Sequence, residues 1–193
     1  YVTEKATKLE TLYDRIHEIR TRFEVLKRDA VIRYQAAMLN GDDPEEAQKK
    51  MKAEHRALDD DFAFVASCNS GSANMSAGAL GRLRAIGKRT WLRTLDKRLG
   101  VSRAELARMN RQAQPDLPAR EFLLMDSQEH SIDRGEKDRL PPGNSWGFKL
   151  SPPPALYNRG ELYNLSVRGS TLTMEERYKI NDHITQTIIM LSA

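Results

Sequence analysis

The sequence predicts a mainly α-helical protein, in which a long antiparallel helical hairpin is joined to shorter helices and a proline-rich, loop-rich wrap. Three observations support this fold class: a heptad-like apolar seam early in the chain, a helix stop followed directly by a helix start near residue 42, and proline clusters late in the chain. We expect a helical region over residues 1–111, the wrap over 112–170 and a terminal helix over 171–193.

The first helix is predicted to begin at Thr7, because Thr7 and Glu10 have the spacing of a capping box. It should end at Asn40-Gly41, since both residues tolerate left-handed backbone geometry. Its apolar seam can pack against the next helix or against a second copy of the chain. We favour the intramolecular partner, with a homodimer through the same hairpin as the alternative. The seam consists of Leu9, Leu12, Ile16, Ile19, Phe23, Leu26 and Ala30.

The second helix has a strong predicted start, with Asp43 as N-cap and Pro44 at the first helical position. Acidic residues follow in the first turn, where the helix dipole favours them. An apolar stripe then continues to about Ser67. The short turn between the two helices predicts an antiparallel hairpin. The stripe consists of Ala47, Met51, Leu58, Phe62 and Val65.

A third helix is predicted after Ser76, with helical spacing that continues through Trp91 to Gly100. Ser102 and Glu105 form another capping box, so residues 103–110 should be a short helix. The corner between these helices, at residues 99–106, has the pattern of a helix–turn–helix. DNA binding is therefore a hypothesis, although such corners are also common in helical bundles that bind no nucleic acid.

A basic block lies in the middle of the chain. Residues 70–114 carry ten Lys/Arg and two Asp/Glu, although the net charge of the whole chain is only +4. Such a block can meet phosphates, a nucleic acid or an acidic partner. It can also be solvated, or pair with the acidic stretch at residues 59–61, and we favour this interpretation. The block comprises Arg82, Arg84, Lys88, Arg89, Arg93, Lys97, Arg98, Arg103, Arg108 and Arg111.

The wrap contains seven of the eight prolines, which prevent long regular elements. Within it, residues 122–125 are expected to be a short strand or a helical turn. Residues 130–134 are expected to form a strand, and residues 159–167 a short helix.

The terminal helix, residues 172–191, is predicted to begin with a capping box between Thr173 and Glu176. His183 lies in its middle and shares a helix face with Ile180, Thr187 and Met190. We therefore expect its imidazole to point toward packed structure.

No complete active site is visible in the residues. The sequence contains no glycine-rich phosphate loop, no pair of Cys or His at metal-binding spacing and no nucleophile–base set. The four histidines are scattered singly, and the one cysteine, Cys68, cannot form an internal disulfide. We therefore predict no catalytic residue and no cofactor-binding residue in this chain.

The terminal helix resembles a helix of the HD-GYP family of metal-dependent phosphodiesterases, which opens with Leu-Thr-x-Glu-Glu and carries a histidine. Here the pattern is Leu172-Thr-Met-Glu-Glu176, followed by His183. Residues 2–10 resemble the segment that follows the family's His–Asp pair, and residues 11–156 would be an insertion. The resemblance implies that His183 is a metal ligand. It also implies that the parent enzyme hydrolyses cyclic di-GMP at a centre of two or three iron or manganese ions.

The chain departs from the family pattern in ways that shape the functional prediction. It has no His–Asp dipeptide (Asp182-His183 is the reverse order), no Gly-Tyr-Pro and no His-His pair. We therefore expect an internal segment of a longer enzyme, an expectation that agrees with a start at Tyr1 and a helix running almost to Ala193. The partner of this chain would be the remainder of that longer parent enzyme. Alone, it should bind no metal stoichiometrically and show no catalysis.

We expect no membrane segment, because no apolar run approaches the roughly 18 residues of a spanning helix. The first residues lack the apolar core of a signal peptide, and together with the single cysteine this predicts a cytoplasmic protein.

Overall fold

A computed structural model describes residues 15–72, 74–138, 146–149, 151–169 and 171–191. Within these ranges the protein is mainly helical, as predicted. Two short 3-10 turns, Gln128–His130 and Glu136–Asp138, lie between the strands. The helices and strands are α1 (Ile16–Leu39), α2 (Pro44–Asn69), α3 (Ala77–Gly87), β1 (Thr90–Arg93), α4 (Arg103–Met109), β2 (Ala119–Phe122), β3 (Ser131–Asp133), β4 (Ala155–Asn158), α5 (Glu161–Leu165) and α6 (Met174–Leu191).

The helical hairpin is present and is formed by α1 and α2. The Asp43 side chain accepts a hydrogen bond from the Glu45 N–H, which confirms the predicted N-cap of α2. Gly41 adopts a φ of 82°, a left-handed value that glycine reaches at little steric cost, and this allows the tight turn. The predicted Thr7 cap and the resemblance at residues 2–10 lie outside the described residues.

The α1 seam is buried inside the hairpin rather than left for a second copy. Its described members Ile16, Ile19 and Phe23 belong to the main hydrophobic core. The Phe23 and Phe62 rings meet edge to face, with centroids 5.4 Å apart. Leu9 and Leu12 lie outside the described residues. The other buried core residues are Leu58, Val65, Cys68, Met75, Leu83, Ile86, Leu123, Leu124 and Leu165.

The third helix is shorter than predicted. Ser76 caps α3 by accepting from the Ala79 N–H, as expected, but the helix ends at Gly87 instead of continuing through Trp91 to Gly100. Residues 90–93 instead form β1, paired antiparallel with β2. The prediction was wrong because a short apolar run is compatible with both the helical and the strand periodicity. Pairing with β2, almost thirty residues later in the chain, makes this run a strand.

The predicted helix–turn–helix is therefore absent from residues 99–106. Among the described residues, α4 follows a strand and a turn instead of a helix. The Ser102 side chain accepts from the Glu105 N–H, so the predicted start of this short helix is confirmed. The corner pattern reflects a capped helix after a glycine turn, and it gives no support to DNA binding.

The wrap contains two small antiparallel sheets. The predicted strand at residues 130–134 is present as β3, which pairs with β4. The predicted helix at 159–167 is present as α5. Residues 122–125 divide between the last residue of β2 and a bend, where Leu123 and Leu124 are buried in the core. In the described part of the chain, no helix combines the length and apolar character needed to cross a membrane.

Candidate functional site

The start of α6 is fixed by the capping box predicted from the sequence. The Thr173 N–H donates to Glu176 Oε2 at 2.8 Å, and the Glu176 N–H donates to Thr173 Oγ1 at 3.3 Å. Two backbone donors that the helix itself leaves unpaired are thereby satisfied. The terminal helix therefore begins where expected.

The inner face of α6 is held by polar and aromatic contacts. Buried Glu175 accepts a hydrogen bond from the Tyr163 hydroxyl at 2.9 Å. Burial, followed by the hydrogen bond to Glu175, raises the pKa of Tyr163. The Arg134 guanidinium lies 4.6 Å from the centroid of the buried Tyr178 ring. These contacts attach the face of α6 that carries Glu175 and Tyr178 to the wrap.

His183 lies on the other face of the helix, so its predicted orientation was wrong. Its side chain is exposed, as are its predicted face-mates Ile180, Thr187 and Met190. The prediction failed because both faces of α6 carry apolar side chains. Tyr178 and Thr185 pack inward because the wrap offers partners suited to their face. The role of His183 as a metal ligand stays a prediction.

The exposed face of α6 is unusually apolar for a solvent-facing surface. Ile180 is 53% exposed, Ile184 62% and Leu191 83%. Ile184 lies four residues after Ile180 and Leu191 seven residues further on, so the three share one face of the helix, and His183 lies beside it. Contiguous exposed apolar surface is typical of interaction sites in general. Met190 and Ile188 extend the same surface.

The described residues do not by themselves fit a centre of two or three metal ions. No group of three or more His, Cys, Asp or Glu side chains among them is arranged to hold a metal. The other histidines lie elsewhere and have other contacts. His55 Nε2 is 3.0 Å from the Lys27 carbonyl oxygen, and His130 Nδ1 is 3.4 Å from the Ser127 amide nitrogen.

Comparison with known proteins shows what the second part of the chain is similar to. A family model described as an HD domain matches residues 119–193. The match supports the HD phosphohydrolase superfamily, whose domains usually bind divalent metals. Searches of curated proteins and of solved structures found no match.

The HD-domain match changes the predicted boundaries of the resemblance. It begins at Ala119, the first residue of β2, and so covers part of the stretch that we had assigned to an insertion. It includes α6 with His183 but not residues 2–10. The match therefore includes most of the wrap together with the terminal helix, whereas the hairpin lies outside it.

A buried carboxylate joins the HD-domain segment to the hairpin, and sequence reasoning missed it. Glu161 Oε2 accepts from Arg22 Nη1 and from the Met125 N–H, both at 2.9 Å. Arg22 Nη1 also donates to the Leu123 carbonyl at 3.0 Å. A single glutamate at the start of a short helix gives no signal in the sequence, because its partner Arg22 is 139 residues away.

The electrostatics of this cluster favour the ionised pair. Burial alone would lower the pKa of Arg22, but its interactions with Glu161 and Glu18 outweigh burial and raise it. The Glu161 side chain is 2% exposed and that of Arg22 is 11% exposed, so solvent screens the pair weakly. Arg15 approaches the other carboxylate oxygen at 3.5 Å. We call Arg22, Glu161 and the Met125 amide the clamp.

A cavity of about 510 Å³ with a mixed polar and apolar lining lies beside the clamp, between the start of α1, the end of α2 and the segment before α6. Its charged lining includes both signs, with Arg15 and Arg159 facing Glu161 and Glu176. The charges balance, so the cavity lining offers no excess positive charge to attract a phosphate.

The basic block is largely paired within the fold. Arg82 and Arg89 both contact the Asp61 carboxylate, at 3.5 and 2.8 Å. Arg93 pairs with Glu121 at 3.0 Å, with both side chains nearly buried. The structure therefore supports pairing with the acidic stretch and leaves the nucleic-acid hypothesis without support from this block. Further pairs are Lys97–Glu129, Arg98–Asp96 and Arg111–Asp133.

Replacing Glu161 should destabilise the fold strongly. Glu161→Gln leaves the largely buried Arg22 guanidinium with only the half-exposed Glu18 as a counter-charge, so we expect a loss of about 3 kcal/mol in the free energy of unfolding. Glu24→Gln is the matched control, because Glu24 forms an exposed pair with Arg28 and should contribute about 0–1 kcal/mol. Urea denaturation measures both. Equal, small losses would show that the clamp is not a structural anchor.

His130 should make stability depend on pH. Burial, followed by the nearby charge of Arg15, lowers the pKa of His130, while Glu161, Glu129 and Asp126 oppose this shift. The unfolded chain therefore binds the proton more readily. The corresponding stability is fully present above the ordinary histidine pKa of about 6.5 and is lost as the pH falls from there through the lower pKa of the folded state.

The check is urea denaturation between pH 7.5 and pH 5.5, with His130→Asn beside the wild type. Asparagine offers a neutral side-chain oxygen that can accept from the Ser127 N–H but cannot be protonated in this range. The variant should lose less stability than the wild type on acidification. Parallel curves for the two proteins would contradict the prediction.

Proposed function

We propose that this chain is part of a metal-dependent phosphodiesterase of the HD-GYP type that hydrolyses cyclic di-GMP. In this proposal α6 supplies His183 as one metal ligand, and the hairpin is an addition to the catalytic core. The observation that carries the proposal is the position of His183, next to an exposed apolar stripe, on a helix inside the HD-domain match.

The apolar stripe supports a covered position for His183 in the complete enzyme. Burying a side chain such as Ile180 or Ile184 contributes about 1.5–3 kcal/mol, so a helix that exposes several of them favours contact with further protein. A segment of catalytic core packed there would enclose the imidazole as well. His183 would then lie at an interface between two parts of the enzyme, where ligands from both can meet.

The chemistry of the side chain fits this role. A neutral imidazole is a common ligand for iron and manganese, and such metals activate water and neutralise phosphate oxygens. His183 provides one such nitrogen, on a side chain that is exposed in this structure. The remaining ligands would come from outside the described residues.

The test uses the complete protein, with the sequence that flanks this chain in its gene. We expect His183→Ala to lower the bound iron or manganese, measured by elemental analysis, and to reduce hydrolysis of cyclic di-GMP by at least about tenfold, the size of effect seen when metal-site groups are removed. His17→Ala is the control, because His17 is an exposed histidine on α1 outside the HD-domain match.

The outcomes separate the parts of the proposal. Full metal content and activity in the His183→Ala protein would overturn the ligand role. Loss of metal together with hydrolysis of a different phosphate ester, and none of cyclic di-GMP, would keep the ligand and overturn the substrate.

A further inference from the structure

The outer half of the hairpin projects beyond the hydrophobic core. We call residues 31–57 the arm. None of these residues is buried, whereas Ala30 and Leu58, which flank it, are 2% and 1% exposed. At 1.5 Å per residue, the α1 side of the arm extends about 14 Å past Ala30. The arm therefore contributes nothing to the core that would explain its length.

An apolar stripe runs along one side of the arm. Ile32 is 60% exposed and Leu39 89% exposed, and exposed Ala36 lies between them at helical spacing. A groove of about 550 Å³ opens beside Ala36, between the two helices, and Ala37, Ala47 and Met51 form part of its lining. A small residue flanked by two large ones, next to a recess, suits close contact with another helix.

The charges of the arm divide into two opposite bands. The tip, residues 39–47, carries four acidic residues and no Lys or Arg. The shank, residues 31–38 and 48–56, carries five Lys/Arg and one Glu. The Arg33–Glu54 pair accounts for two of these charges. Lys49, Lys50 and Arg56 form no ion pair with any other residue in the described ranges, and neither do the tip acids Asp42 and Glu46.

We propose that the arm is a homodimerisation surface, which binds the arm of a second copy in antiparallel orientation about a two-fold axis near Ala36. A two-fold axis places the same patch on both subunits and exchanges the two ends of the stripe. The acidic tip of each copy then lies beside the basic shank of the other. The centres of the two bands are about 12 Å apart along the helix, within the length of the arm.

Charge complementarity favours a second copy over an unrelated partner. A strongly acidic or basic partner would be attracted to one band and repelled by the other, whereas an antiparallel copy satisfies both. The same argument excludes parallel pairing, because acidic tips would then face each other. This surface differs from the α1 seam, which is buried inside the hairpin.

The first test measures self-association of the chain by sedimentation equilibrium. The wild type should form a dimer that weakens as salt is raised, since the attraction is between exposed charges. Ile32→Asp with Leu39→Asp should weaken the dimer on the order of a hundredfold, because each carboxylate would be buried unpaired. Leu95→Asp with Leu99→Asp is the matched control, since both leucines are 76% exposed and lie outside the arm.

The second test removes the net charge of each band separately. One variant carries Asp42→Lys and Glu46→Lys, and the other carries Lys49→Glu and Arg56→Glu. Each alone should dimerise more weakly than the wild type, because every contact between tip and shank then involves one band without net charge. An equimolar mixture should favour the heterodimer, in which one of the two contacts still joins an acidic tip to a basic shank. Circular dichroism melts of each variant establish that it is folded, so that loss of the dimer is not loss of structure.

A wild type that remains monomeric at every concentration would overturn the proposal. So would a dimer that is weakened neither by the Asp changes nor by the charge changes. A dimer dissociated by Ile184→Asp, but not by the arm variants, would assign self-association to α6 instead. None of these results depends on metal or on hydrolysis, so they are independent of the proposed enzymatic function.

Discussion

The contact between Arg22 and Glu161 is the constraint on which the rest of the structure depends. It joins α1, the chain after β2 and the start of α5 at one buried point. The two charges are far apart in sequence and lie on opposite sides of the boundary of the HD-domain match. A buried ion pair adds little net stability compared with apolar packing, but it penalises every arrangement that separates its members. The clamp therefore determines how the hairpin and the HD-domain segment fit together.

The position of α6 follows from this arrangement. The clamp holds α5 in place, and Gly160, just before it, allows the Asp126 carboxylate to approach closely, at a point where a Cβ atom would clash. Asp126 also accepts from the Tyr163 N–H at 3.1 Å. Tyr163 in turn holds Glu175 on the inner face of α6. This chain of contacts turns Tyr178 inward and leaves His183 and the apolar stripe facing outward.

The two ends of the molecule thus present two different exposed apolar surfaces. The α6 stripe has a histidine beside it and lies in the HD-domain segment, which favours completion by catalytic core. The stripe on the arm has an alanine at its centre and charges of both signs around it, which favours a second copy of the chain. In our proposals, the first surface completes the metal site and the second forms the dimer.

Local signals in the sequence predicted much of this fold. The caps at Asp43, Ser76, Ser102 and Thr173 are side-chain contacts within three residues, so their spacing alone revealed them. Long-range contacts were not accessible in the same way. β1 was mistaken for helix because its partner β2 is distant, and the orientation of His183 was wrong because it depends on the docking of Tyr178. The Glu161 contact gave no local signal at all.

A double-mutant cycle on Arg22 and Glu161 tests the central claim most directly. Urea denaturation would give the free energies of unfolding of the wild type, Arg22→Met, Glu161→Gln and the double variant. If the two side chains act as a pair, the loss in free energy of unfolding of the double variant should be clearly smaller than the sum of the losses of the two single variants. We expect a coupling energy above about 1 kcal/mol. Additive losses would show that the two side chains act independently, and would contradict the clamp as the organising contact of the fold.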